Sequence, residues 1–224
     1  GVVIPEQPID RLSQPGADKP LIVGSNADDG VLFATADVVL TRAGMRRAIR
    51  DLTGVSSTTA QAIEDLYPRL EYPAAADAWL AFLGEVTFIC PGLQAAEAAQ
   101  SGAPAYTYHF TRSPLLTRAV GAAHGIELLY VFSSFDEVPL LTTPPDDRVI
   151  DAVQNAWGRF AHTGAPELAR GWPAYQSSTT PIAIIDDPTE VVSAIRGGRC
   201  SQLEALGVIP LPTGGPYPRA LIER

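Results

Sequence analysis

Pro20-Leu21-Ile22-Val23-Gly24-Ser25-Asn26-Ala27-Asp28-Asp29-Gly30 is the stretch whose reading decides the fold. The apolar run Leu21 to Val23, closed at once by Gly24 and a polar turn, predicts a buried strand of a parallel sheet. Asp28 and Asp29 then fall at the carboxyl end of that strand, the side on which open α/β sheets collect their ligands. Two aspartates before a glycine also make an ordinary Asx turn. The turn therefore acquires chemical meaning only if a partner for it exists elsewhere in the chain.

Outward from this strand the pattern alternates. Thr41 to Leu52 and Thr58 to Leu66 read as helices, each opened by a threonine able to cap free amides and closed by Gly54 and Pro68 respectively. Pro73 through Gln100 is alanine-rich and helical, with Pro91 as a break or a fresh first turn. Ala105 to Phe110 alternates bulky and small residues as a strand does. Asp146 and Asp147, behind Pro144-Pro145, open the strongest helix, on which Val149, Ile150, Val153, Trp157 and Phe160 share one face. Pro181 to Ile185 is a last strand candidate. Strand, helix, strand, helix predicts an α/β fold, a mostly parallel sheet flanked by helices. With only two or three strands, such a sheet exposes an edge and an apolar flank, which predicts a further segment carrying more strands.

Composition removes several functions. A chain of 224 residues, 46% hydrophobic and 18% charged, has the make-up of one globular domain. Its 25 acidic against 16 basic residues give a net charge of -9, which repels nucleic acid and anionic membranes. Arg46, Arg47 and Arg50 read as the solvent face of a helix. No apolar stretch approaches the ~20 residues that a membrane span needs, and no signal peptide is visible. Cys90 and Cys200 have no histidine at ligand spacing, so no metal site is expected, and no cofactor is expected either.

The partner for the acidic turn is Gly121-Ala122-Ala123-His124-Gly125-Ile126-Glu127-Leu128. Glycines on both sides let the backbone bend and bring the imidazole to the sheet edge. A neutral imidazole takes a proton from a hydroxyl when a carboxylate on its far side fixes the tautomer. Acid and histidine are thus two parts of a catalytic triad. The third is missing, since no Gly-x-Ser-x-Gly elbow occurs in the chain. His109, inside a strand pattern and without an acid, reads as a core residue; His162 reads as a helix-terminal cation. Glu127 opens the next helix and is not assigned to chemistry.

Several segments, taken in order, carry a likeness. Gly1-Val2-Val3-Ile4-Pro5 with Pro8, the strand and acid turn, Phe88-Ile89-Cys90-Pro91, Pro104 to Phe110, the histidine motif running to Phe132, Ala156 to Pro166, and Trp172-Pro173-Ala174-Tyr175 resemble the C-terminal portion of type-B carboxylesterases, the family of the cholinesterases. The resemblance implies the C-terminal part of an α/β-hydrolase fold, one domain over residues 1–224; its proline- and glycine-rich end reads as a flexible tail at 210–224. A missing N-terminal segment would complete that domain. Because the start at Gly1 falls inside a segment that continues upstream in the family, it implies processing, an artificial boundary, or a cut in a longer precursor.

The resemblance also implies roles. Asp29 stands where the family usually has the triad glutamate, with Asp28 as the competing candidate, and His124 is the base. Leu32, Phe33 and Ile126 stand at substrate-pocket positions; all are apolar, which suits the groups of a small-molecule carboxylic ester. Cys90 and Cys200 correspond to a family disulfide, implying a secreted or extracytoplasmic setting. Two buried free thiols in a cytoplasmic protein are the alternative. The function implied is carboxylic-ester hydrolysis, with serine and oxyanion hole supplied by an N-terminal segment or chain of the same esterase. The rival is a neuroligin-like binding module that keeps the fold without the chemistry.

Overall fold

A computed structural model describes residues 6–14, 19–33, 41–137 and 142–209. Four strands form one sheet in the order β1 (Leu21–Asn26), β2 (Ala105–Phe110), β3 (Ile182–Ile185), β4 (Glu190–Val192). The first two pairings are parallel and the third antiparallel. Leu21 lies opposite Ala105 and Asn26 opposite Phe110, so β1 and β2 end together and both chains leave at one edge. The strand count exceeds the expected two or three. Glu190–Val192 escaped notice because three residues opening on a charge carry no periodicity, and only pairing with β3 makes them a strand. Among the described residues, the far side of β1 has no strand beside it.

The helices are α1 (Pro8–Leu12), α2 (Arg42–Thr53), α3 (Ser57–Asp65), α4 (Ala75–Gly84), α5 (Cys90–Ala99), α6 (Glu127–Val131), α7 (Pro144–Thr163) and α8 (Arg199–Ala205). Thr41 caps α2 by accepting the Gly44 amide. Ser56 rather than Thr58 caps α3, because its hydroxyl accepts the amide of Thr59. In α7, Thr143 and Asp146 form a reciprocal capping box that also fixes the start of the longest single α segment. Gly1–Pro5 and the tail 210–224 lie outside the described residues.

One expectation is corrected. α4, a π turn at Glu85–Ile89 and α5 run on as a continuous 25-residue helix, long and apolar enough to cross a bilayer, where no apolar stretch of that length was expected. Pro91 does not break it but stands in the first turn of α5, the second of the two places expected for it. The π turn already shifts the ladder there, the Cys90 amide donating to Glu85 five residues back, so the amide proline lacks costs little. Its tertiary contacts make it a core helix. Glu85, near its middle, is fully buried and paired with Arg199 and Tyr67, while α5 packs on β1. A disulfide joins Cys90 of α5 to Cys200 of α8 across 110 residues of sequence.

Two main cores result. Met45, Ile49, Ile63, Tyr67, Phe82 and Leu203 fill the space among α2, α3, α4 and α8. Tyr106, Phe110, Tyr130, Val149, Val153 and Ile185 lie between the sheet and α6–α7. The anticipated face of α7 is the buried one, with Asp146 added to it because Arg112, Thr143 and Tyr130 satisfy its carboxylate.

Candidate active site

Where β1 ends, the chain keeps contact with the loop that follows β2. The Ala27 amide donates to the Phe110 carbonyl at 2.8 Å, and Asp28 makes an isolated parallel bridge to Ala123. This bridge sets two motifs, remote in sequence, side by side. Asp28 and Asp29 then divide their tasks. The Asp28 carboxylate accepts the Ala122 amide at 2.9 Å, whereas one Asp29 oxygen accepts the Asn26 amide at 2.7 Å and the other lies 2.9 Å from His124 Nδ1. Of the two candidate acids, it is Asp29 that meets the imidazole.

Burial differs across this pair. The Asp29 side chain is 3% exposed and that of His124 is 44% exposed, so the carboxylate sits beneath the ring and the ring faces outward. Burial pushes the Asp29 carboxyl above its ordinary value of 3.8, with the Asn26 amide and His124 opposing it. The histidine loop is shaped by backbone that L side chains rarely adopt, φ being 68° at Gly121 and 83° at Gly125. A Cβ on Gly121 would stand 2.1 Å from the Asp28 carboxylate.

Further residues support the turn and were not legible beforehand. The Asn26 side-chain amide donates to the Ala123 carbonyl at 2.9 Å and to the Glu127 carboxylate, so Glu127 binds β1 rather than only opening α6. Arg196 donates to the Ala27 carbonyl and, at 3.2 Å, to the Tyr72 hydroxyl. No local pattern ties Arg196 to a turn 169 residues away.

The apolar candidates separate. Phe33, 43% exposed, stands edge-on to the His124 ring with centroids 5.2 Å apart. Leu32 is 62% exposed, and Ile126 packs instead against the core that holds Phe110 and Tyr130. Phe88, which no motif role had singled out, lies with its ring 4.4 Å from that of His124. A cavity of 360 Å³ opens on the other flank of the acid turn, where Asp28, Val31, Tyr72, Gly121 and Arg196 line it.

His109 is buried against the Ser25 hydroxyl at 3.1 Å, and burial together with the charge of Arg196 pulls it down to about 4. It is a neutral core residue. His162 occupies the last turn of α7, on the surface. Among the described residues, no three histidine, cysteine, aspartate or glutamate side chains converge to hold a metal.

A mostly parallel sheet flanked by helices, with an acid turn after one strand facing a histidine loop after the next, defines an α/β-hydrolase fold, and solved structures share it. One PNB esterase superposes with a TM-score of 0.72 at 26% identity, covering 92% of this chain and 42% of that one. A thermophilic PNB esterase gives 0.69 at 26% identity, covering 89% and 41%. The chain belongs to the carboxylesterase family, whose model matches residues 1–203. It is 30% identical over 190 residues to the para-nitrobenzyl esterase of Bacillus subtilis (strain 168), covering 82% of this chain and 37% of that protein. The bile salt-activated lipase of Mus musculus is 31% identical over 188 residues (75% and 31%), and the acetylcholinesterase of Leptinotarsa decemlineata 28% over 202 (78% and 31%). The chain spans about a third of the length of these curated relatives.

Proposed function

We propose that this chain carries the acid and the base of a serine carboxylester hydrolase, Asp29 and His124, and that the nucleophilic serine and oxyanion-hole amides come from a segment or chain N-terminal to it. The observation that carries this reading is the 2.9 Å contact between Asp29 Oδ1 and His124 Nδ1, made by a buried carboxylate to a half-exposed ring. Asp29 accepts a hydrogen bond from the Nδ1–H and so leaves Nε2 as the unprotonated nitrogen. Nε2 takes the serine proton during acylation, returns it to the leaving alcohol, and later activates the deacylating water. Asp29 steadies each imidazolium without itself taking the proton.

The aspartate that replaces the family's usual glutamate is one methylene shorter, and the Asp28 bridge to Ala123 draws the two loops close enough for it to reach. Phe33 stands edge-on to the ring, and it and the exposed Leu32 offer apolar surface suited to the acyl or alkyl group of a small-molecule ester. The side of β1 that has no neighbouring strand among the described residues suits the remaining strands of a single hydrolase domain, with 1–224 as its C-terminal part. The Cys90–Cys200 bond supports a secreted or extracytoplasmic setting. A retained acid–histidine pair favours the enzyme over a neuroligin-like binding module, which has no use for it.

The test is turnover of p-nitrophenyl esters by the chain with and without the serine-bearing segment. Activity that requires both parts and labels with a fluorophosphonate supports the assignment; equal turnover by His124→Ala overturns it.

A further inference from the structure

We infer that Phe88 is a positioning residue for the His124 imidazole, a role resting on the reading of His124 as the base. The hydrogen bond to Asp29 holds one atom of a ring whose side chain is 44% exposed, and leaves the face of that ring without support from the acid. The flanking glycines, with φ of 68° and 83°, give the loop no stiffness of its own. Something else must hold the plane, and two phenylalanines do. The Phe88 ring lies 4.4 Å from the imidazole at 34°, covering its face, and Phe33 meets it nearly perpendicular at 77°. Phe33 and Phe88 also touch one another, centroids 5.0 Å apart, so the three rings form one corner.

The π turn explains how a core helix reaches this corner. Within Glu85–Ile89, Glu85 points into the buried cluster with Arg199 and Tyr67, while Phe88 covers the imidazole. Anchoring at Glu85 and at Cys90, which is locked to Cys200, fixes the segment between them. Phe88 is thus a wall standing on the core, against which the half-exposed ring rests. An aromatic face also suits the imidazolium that forms in turnover, since it attracts a cation while excluding water. With the plane held, Nε2 keeps one direction through both proton transfers. A misdirected base costs rate more than binding.

Phe88→Leu removes the ring at nearly constant volume. In the chain, the ring C–H resonances of His124, assigned through His124→Gln, should lose their ring-current displacement in Phe88→Leu while those of His109 stay in place. With the serine-bearing segment supplied, the same substitution should lower kcat about tenfold and leave KM within about twofold. Phe88→Tyr should restore both the displacement and kcat. Unmoved His124 resonances or unchanged kcat in Phe88→Leu would overturn the role. So would a joint shift of the His109 signals without rescue by Phe88→Tyr, which would make Phe88 a core residue only. If His124→Ala retains turnover, the base assignment fails, while the resonances still decide whether Phe88 holds the ring.

Discussion

The amide of Asp28 donates to the Ala122 carbonyl at 3.0 Å, and the amide of Ala122 donates to the Asp28 carboxylate at 2.9 Å. This reciprocal pair joins the acid turn to the histidine loop and leaves Asp29 free to meet His124. Asp28 is thereby a clamp between the two loops. Asp28→Ala leaves the Ala122 amide without its acceptor and should cost about 1–3 kcal/mol of stability, read as a lower urea midpoint at unchanged m-value.

Gly30 is where the turn presses on the central helix. A Cβ there would stand 2.1 Å from the Leu80 carbonyl oxygen and 2.7 Å from the Gly84 amide nitrogen, both backbone atoms that cannot step aside. Gly30→Ala should therefore push the turn off the helix and destabilise the protein by about 1–3 kcal/mol or more. Gly158→Ala, in open space on α7, should leave thermal unfolding at or slightly above its original midpoint.

Acid should unfold the molecule partly through Asp146. Burial alone would raise its carboxyl, but Arg112, Thr143 and Tyr130 overcome this and hold it at about 2 against an ordinary 3.8. The folded value is depressed, so the stabilisation is complete above 3.8 and disappears as pH falls through about 2. It amounts to roughly 2 kcal/mol at neutral pH. Arg112→Met should lower stability near pH 7 and flatten its dependence between pH 4 and 2, as urea titrations at each pH would show.

Closing 110 residues with the Cys90–Cys200 bond should contribute about 4–5 kcal/mol through the unfolded chain. Reductant should bring a marked fall in the urea midpoint, and the denatured, unreduced protein should show no reactive thiol. Two titratable thiols without reductant would contradict the bond.

The sequence made local features legible and left long-range ones hidden. Leu21–Val23 and Ala105–Phe110 announce strands because apolar runs and alternation are local, and Thr41 and Pro144 announce helix starts for the same reason. The acid turn and His124 were legible from motif and resemblance, although which aspartate meets the ring depends on the Asp28–Ala122 pairing. Asn26, Phe88 and Arg196 carry no local signal of their contacts. Phe88 sits in an alanine-rich helix whose periodicity a π turn interrupts, and Arg196 reaches Ala27 across 169 residues of sequence. Apolar character was also a poor guide at Ile126, which the core claims.

The most direct test of the central claim, that Asp29 fixes the His124 tautomer, is the downfield proton spectrum of the chain. The bridging Nδ1 proton should appear as one resonance, absent in His124→Gln and Asp29→Ala and present in Asp28→Ala. A resonance that survives in Asp29→Ala, or vanishes only with Asp28, would contradict the account.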